Sequence, residues 1–269
     1  MKKIAKYSRN MHIIQLDVTK LEEIENAVAQ VRTFLNRDEV LYGLINNAGV
    51  MQCCQFEWGN IDNFSNTMNV NIFGMANMTR LFLPLMRQSK GRIVNVTSVS
   101  GRMICPFGVS YSVSKFAACG FTENLRIESD KFGIKVVNIE PGVHTTNICN
   151  PKLQRELAAS IFQKSTDEVK NAYGYSFLEK TQTMFDLLTP LTTIEVPGAY
   201  ISQPKFVAET IVEALTTFDP DPTYLVSPLL TKPFIRIQPL IPTEWIQWAY
   251  IITFWLVGLH KPYPISKSH

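Results

Sequence analysis

Apolar positions recur along the chain at two periods, and each change of period marks an element. His12–Leu16 is a short apolar run ending at Asp17, and it predicts a buried strand. Thr19 and Glu22 have the spacing of a capping box. Leu21, Ile24, Val28, Val31 and Leu35 then repeat at helical spacing. After the polar turn Asn36–Glu39, Val40–Ile45 predicts a strand that runs into Asn46-Asn47-Ala48-Gly49. A long helix is predicted from about Asp62 to Gln88, on Met68, Ile72, Met75, Met78 and Phe82, with Gly91 stopping it. Arg92–Val96 is a β-branched strand ending at Thr97-Ser98. Beyond a loop with Gly101 and Pro106, a helix carries Tyr111, Lys115, Ala118 and Leu125 and closes at Gly133. Ile134–Ile139 predicts the next strand, ending at Glu140-Pro141-Gly142. Residues 151–202 are more helical and irregular, in the manner of an insertion that covers a pocket. Pro204 opens a further helix through Val207, Ile211 and Leu215, and Tyr224–Val226 reads as a last short strand.

Alternating apolar strands and amphipathic helices predict an α/β fold. Its expected form is a Rossmann-like, doubly wound parallel sheet covered on both faces, a three-layer αβα sandwich. Ligands in such sheets bind outside the carboxyl ends of the strands. Asp17, Asn46–Gly49, Thr97-Ser98 and Pro141-Gly142 all fall at such ends.

Composition narrows the classes. The 269 residues are 46% hydrophobic and 18% charged, below the roughly 25% charge of an average soluble chain, so intrinsic disorder is excluded. The net charge of +3 is that of residues 231–269, where Lys232, Arg236, Lys261 and Lys267 stand against Glu244. The neutral remainder argues against nucleic acid as a partner. The same tail holds three of the four tryptophans, which points to a membrane surface or a partner. Cys53, Cys54, Cys105, Cys119 and Cys149 show no metal-ligand spacing, so no metal site and no disulfide framework are expected. Asn63, Asn77 and Asn95 open N-x-[ST] triplets; the latter two lie within apolar segments and read as chance.

Tyr111 and Lys115 stand one helical turn apart and project from one face. A lysine cation beside a phenol favours the phenolate and brings tyrosine into range as a general acid/base. Ser98 ends a strand thirteen residues earlier, where a hydroxyl can orient a substrate oxygen beside that phenol.

These pieces, in this order and spacing, resemble the short-chain dehydrogenase/reductase family. They are Asn46-Asn47-Ala48-Gly49 after a strand, Asn71 in the long helix, Ser98, Tyr111-Ser112-Val113-Ser114-Lys115, and Pro141-Gly142 with Thr146. The resemblance implies an oxidoreductase that moves a hydride between NAD or NADP and a secondary alcohol or ketone. It implies Tyr111 as acid/base, Ser98 as holder of the substrate oxygen, and Lys115 as the group that lowers the phenol's pKa and binds the nicotinamide ribose. Asn71 would hold a proton-relaying water. Asp17 and Val18 would meet the adenine, and Asn47, Ala48 and Gly49 would admit the cofactor to the backbone. Pro141, Gly142, Val143 and Thr146 would flank the nicotinamide. Asp17 could instead help cap the following helix, Asn71 could be an ordinary helix residue, and Thr146 could be a cap, with Thr145 beside it. Leu83-Pro84-Leu85, Gly91–Asn95, Gly133–Val136 and Tyr173-Gly174 are similar to the retinol, 17-beta-hydroxysteroid and 3-hydroxybutyrate dehydrogenase branch, and so imply a lipid-like substrate. Homo-oligomers are also consistent with the resemblance.

The family's opening strand–helix–strand, with its T-G-x-x-x-G-x-G turn, has no counterpart here, and no glycine precedes Gly43. The expected fold therefore lacks the first β-α-β unit, with a catalytic domain over 1–230, its covering region at about 151–202, and an apolar, aromatic, basic tail over 231–269. A catalytically inactive partner of a full-length dehydrogenase is one alternative. A membrane-surface module is another, built on residues 240–259, in which the apolar stretch Trp245–Leu259 would reach about 22 Å as a helix, short of a roughly 30 Å hydrocarbon core. That tail implies a membrane-associated protein of the endoplasmic reticulum or mitochondrion.

Overall fold

A computed structural model describes residues 11–104, 107–144, 146–183, 201–228 and 232–259. Cys105, Pro106, Thr145, Lys261, Lys267 and covering residues 184–200 lie outside the described residues.

The apolar strands form one parallel sheet. Strands β1 (Gly43–Asn46), β2 (Arg92–Val96), β3 (Lys135–Pro141) and β6 (Thr223–Val226) lie side by side in that order. Asn46 is level with Asn95, and Val96 with Ile139. A second, two-stranded parallel pair joins β4 (Val143–His144) to β5 (Ile201–Ser202). The helices are α1 (Leu21–Phe34), α2 (Ile61–Met68), α3 (Met75–Ser89), α4 (Val109–Asp130), α5 (Pro151–Lys164), α6 (Asp167–Tyr173), α7 (described over 175–183), α8 (Pro204–Thr216), α9 (Lys232–Ile237) and α10 (Thr243–Leu256).

Every residue of β2 is buried, which follows from covering both faces of a parallel sheet. Leu44, Ile93 and Val136 face Val28 of α1, Phe82, Leu85 and Met86 of α3, and Leu125 of α4. Val94, Val137 and Ile139 face Ala214, Ile211 and Leu215 of α8. Alternate residues of β2 thus serve two cores, which makes the three-layer αβα sandwich. A separate cluster forms where Trp58, Phe162, Phe177 and Leu178 pack with Phe107 and Leu259. It fastens α5 and α7 to the loop after β1.

Three local expectations are corrected. His12–Leu16 is not a strand. A strand persists only by pairing its backbone groups, and no described strand lies beside this segment; His12 instead stacks on Phe34 at 4.0 Å between ring centres. Thr19 and Glu22 do not form a capping box: Lys20 is the N-cap and makes no side-chain cap bond. The helix starts one residue later than a Thr19 cap requires; the Thr19 hydroxyl and amide both donate to Asp17 Oδ1, at 2.7 and 2.9 Å, and Glu23 rather than Glu22 accepts the Asp17 amide. The long helix of Asp62–Gln88 is interrupted by a wide π turn over Asn69–Gly74, which sets Asn71 fully inside.

The tail forms α10, whose Tyr250 hydroxyl donates to Ile104 O at 2.9 Å and whose Phe254 packs on Phe107. Trp245, Trp248 and Trp255 remain exposed. No helix among the described residues is long and apolar enough to cross a membrane. That overturns the expected placement as a membrane-associated protein of the endoplasmic reticulum or mitochondrion. The fourteen residues of α10 reach about 21 Å, and the aromatic residues alone do not supply the missing length.

Candidate active site at the carboxyl edge of the sheet

The loops leaving β1, β2 and β3 meet the first turns of α4 at one edge of the sheet. Ser98 follows β2 after Thr97, and its Oγ accepts the Ser100 amide at 3.1 Å and donates toward Pro141 O at 3.5 Å. Tyr111 and Lys115 lie on the inner face of α4, both buried. Lys115 Nζ donates to Val96 O at 3.1 Å, two residues before Ser98, and stands 5.7 Å from the centre of the Tyr111 ring. The structure therefore brings Ser98, Tyr111 and Lys115 together.

Burial decides the state of Lys115. Desolvation disfavours the ammonium and brings its pKa down to about 8, against a weaker opposing influence from Cys119. Buried with Val96 O as a partner, Lys115 is still mostly protonated at neutral pH but titrates just above it.

Asn71 does more structural work than expected. Its Oδ1 accepts the Val50 amide at 2.8 Å, and its Nδ2 donates to Val50 O at 2.9 Å and Ser114 Oγ at 2.9 Å. Both amide hydrogens and one lone pair are thus engaged, so the side chain pins the loop after β1 to α4. The π turn is what aims it there. A Cβ on Gly49 would stand 3.6 Å from Asn71 Oδ1 and 3.7 Å from Lys115 Nζ, in ordinary contact with both, so the Asn47-Ala48-Gly49 turn passes beside these two side chains.

Val143 and His144 continue from Pro141-Gly142 as β4, and Thr146 opens a short 3-10 turn without a side-chain cap bond. Asp17 and Val18 lie across the loop: Val18 packs where a Cβ on Gly74 would fall, 2.8 Å away. The Asp17 carboxylate already accepts the Thr19 amide and hydroxyl, bonds that hold its pKa below the ordinary value.

Two groups of buried polar residues escaped the sequence reading. Asn46 Nδ2 donates to Asn95 Oδ1 at 2.8 Å and Thr79 Oγ1 at 3.0 Å, and Asn95 Nδ2 donates to Thr122 Oγ1 at 3.0 Å. This chain ties β1, β2, α3 and α4 beneath the site. Beside it, Glu140 is buried at the end of β3 and accepts Arg102 Nε and Asn138 Nδ2, each at 2.8 Å. Burial pushes its carboxyl above the ordinary value while the Arg102 guanidinium pulls it back. The signal for the second group was an acidic residue directly before Pro141-Gly142, at the end of a largely buried strand.

A parallel αβα sandwich with Ser98, Tyr111 and Lys115 gathered at its carboxyl edge defines a dehydrogenase-type dinucleotide fold. The short chain dehydrogenase family model matches residues 1–157, and the chain belongs to that family. It is 32% identical over 221 residues to dehydrogenase/reductase SDR family member 9 of Bos taurus, covering 82% of this chain and 66% of that protein. It is 37% identical over 173 residues to 17-beta-hydroxysteroid dehydrogenase type 6 of Bos taurus, covering 64% and 54%. It is 34% identical over 176 residues to the mitochondrial D-beta-hydroxybutyrate dehydrogenase of Rattus norvegicus, covering 64% and 51%. The chain thus spans between half and two thirds of the length of these relatives. A short-chain dehydrogenase from Streptomyces avermitilis shares the fold at a TM-score of 0.64 and 24% identity, over 96% of this chain and 83% of that one.

Proposed function

We propose that the protein is an NAD- or NADP-dependent oxidoreductase acting on a secondary alcohol or ketone. The carrying observation is the convergence of Ser98, Tyr111 and Lys115, with Lys115 Nζ held on Val96 O beneath the Tyr111 ring.

The nicotinamide end of such a cofactor fits the residues present. Lys115 uses one of its ammonium donors on Val96 O, Gly49 leaves the backbone bare beside it, and Pro141, Gly142, Val143 and Thr146 border the same edge. The pyrophosphate end has no glycine-rich cradle in the sequence, and Asn47 and Ala48 supply only backbone there. Asp17 and Val18 are candidates for the adenine end.

When bound, the nicotinamide supplies the hydride acceptor or donor. In oxidation, Ser98 Oγ would hold the alcohol oxygen and Tyr111, as phenolate, would take its proton as the carbon–oxygen double bond forms. In reduction, Tyr111 would return that proton to the oxygen. The Lys115 cation would favour the phenolate, and Asn71 would keep the loop after β1 against α4. Relatives named for retinol, 17-beta-hydroxysteroid and D-beta-hydroxybutyrate support a retinoid, hydroxysteroid or 3-hydroxybutyrate as substrate. Helices α5 and α7 would shape that pocket.

The test is fluorescence titration of the chain with NADH and NADPH, followed by turnover of those three substrate classes. Tyr111→Phe should abolish turnover and leave cofactor affinity largely unchanged. Turnover retained by Tyr111→Phe would refute the acid/base role. A folded chain that binds neither cofactor would favour the inactive-partner alternative.

A further inference from the structure

Three consecutive segments carry or border the proposed catalytic groups. Ser98 leads the loop over 98–102, Tyr111 and Lys115 ride on α4, and Pro141-Gly142 ends β3. Arg102 touches all three. Its Nε donates to the buried Glu140 at 2.8 Å, one residue before Pro141. Its Nη2 pairs with Glu123 of α4 at 2.5 Å. Its own amide closes the 3-10 turn on Val99 O at 2.9 Å, and the Gly101 amide closes on Ser98 O at 2.9 Å. The guanidinium is thus forked between two carboxylates on two elements, the geometry in which arginine cannot be replaced by a point charge.

The loop is also pressed onto α4 without a spacer. A Cβ on Gly101 would come 2.5 Å from Cys119 Sγ and 2.6 Å from Lys115 O. Only a bare backbone fits, and it covers the Cys119 thiol. By contrast, the direct link from Ser98 to β3 is weak, a 3.5 Å contact from Oγ to Pro141 O. Thr97, just before Ser98, is tied to β3 by its amide on Ile139 O at 2.8 Å and its hydroxyl on Asn138 Oδ1 at 2.7 Å; within the 98–102 loop itself, Arg102–Glu140 is the shorter of the two bonds to the end of β3.

We propose that Arg102 is a positioning residue, whose two-carboxylate clamp sets Ser98 against α4 and against the Pro141-Gly142 turn. It touches no reacting atom; it acts through Ser98. The inference rests on the proposed function for what the clamp serves, though the clamp can be read without turnover.

The experiment compares the chain with Arg102→Gln, Arg102→Lys and Glu123→Gln. The first readout is site-resolved alkylation of the native protein by iodoacetamide, followed by peptide mass spectrometry at Cys119 and Cys53. Both thiols are buried, but Cys53 belongs to a different cluster, with Ala158, and reports general loosening. Arg102→Gln should speed Cys119 alkylation by about tenfold or more and leave Cys53 unchanged, because only the covering loop opens. Arg102→Lys, keeping one carboxylate partner, should fall between. Glu123→Gln should change Cys119 least, since Glu140 still anchors the loop. Parallel acceleration at Cys119 and Cys53 would overturn the proposal in favour of a general stabilising role, and so would no change at either thiol. The second readout is turnover on the substrates above, where Arg102→Gln should lower kcat by about a hundredfold with KM little changed. An unchanged kcat would overturn the positioning role. Absence of turnover in the unsubstituted chain refutes the proposed function and leaves the alkylation result to decide the clamp.

Discussion

Replacing Lys115 by Met tests the electrostatics of the site through stability alone. The ammonium is buried against Val96 O, and its pKa drops from 10.5 to about 8 by desolvation. Each pKa unit corresponds to about 1.4 kcal/mol, so holding the charged form in the folded state costs about 3 kcal/mol. The sign follows from proton counting. Below pH 8 both folded and unfolded chains carry the proton, and the cost is present in full. Between pH 8 and 10.5 the unfolded chain binds more protons, so stability rises with pH and the cost is progressively relieved. Methionine has similar length and no charge; it relieves the cost at every pH and forfeits one hydrogen bond of about 1 kcal/mol. Lys115→Met should therefore be more stable than the parent by about 1–2 kcal/mol at pH 7, and this advantage should vanish or reverse by pH 10. Urea unfolding of both chains at several pH values measures it, and subtraction removes the titrations they share. A stability difference that stays constant between pH 7 and 10 would refute the reasoning, because it would mean that Lys115 ionises as a solvated lysine does.

Turnover by alcohol oxidation should decline above about pH 8, as Lys115 loses the charge that favours the Tyr111 phenolate; a rate that holds level to pH 9.5 in a pH–rate series would contradict this. Gly91→Ala should cost at least about 3 kcal/mol in denaturant unfolding, because a Cβ there would stand 2.0 Å from Tyr42 O; a loss under about 1 kcal/mol would show that the entrance to β2 yields. Asn95→Val should cost about 2–3 kcal/mol, since it removes partners from both Asn46 and Thr122 in a buried chain; a neutral outcome in the same assay would show that those groups find other partners. Reduced nicotinamide mononucleotide should bind within about tenfold of NADH in fluorescence titration, a gap of about 1.4 kcal/mol; a gap of a thousandfold would show that the adenylate half is held firmly.

The layers of the fold were legible because a buried parallel strand has a plain signature. Arg92–Val96 and Ile134–Ile139 show it, and so do the helices around them. The placement of Ser98, Tyr111 and Lys115 at one edge was legible because one helical turn and one strand end fix their faces. His12–Leu16 misled because an apolar run records burial, whereas a strand also needs a neighbour for its backbone. Thr19 misled because the local pattern did not show that Asp17 would take its hydroxyl. Asn71 stood out as a candidate, yet its hydrogen bonds depend on a π turn that no periodicity reveals. Arg102 and Glu140 meet across 38 positions of sequence, and Asn46 meets Asn95 across 49. Such pairs arise from the register of β1, β2 and β3, so they become visible only once the strands are aligned.

The division between the two ends of the site bears on what the chain can do. Affinity for a dinucleotide comes largely from its phosphates, held by backbone amides at a helix N-terminus. Acceleration of the chemical step comes instead from contacts that strengthen in the transition state. In this protein the residues proposed for the second set sit on elements that hold one another: Lys115 on β2 through Val96 O, Asn71 on α4 through Ser114, and Arg102 on β3 through Glu140. None of these bonds passes through residues 11–20. The proposed acid/base geometry thus meets the proposed adenine end through packing, Val18 lying against Gly74 in the π turn that carries Asn71, while Asp17 is exposed and its carboxylate already serves Thr19. A shortfall at the pyrophosphate would then appear mainly in KM for the cofactor, while the proton transfer proposed for Tyr111 would keep its rate once the nicotinamide is in place.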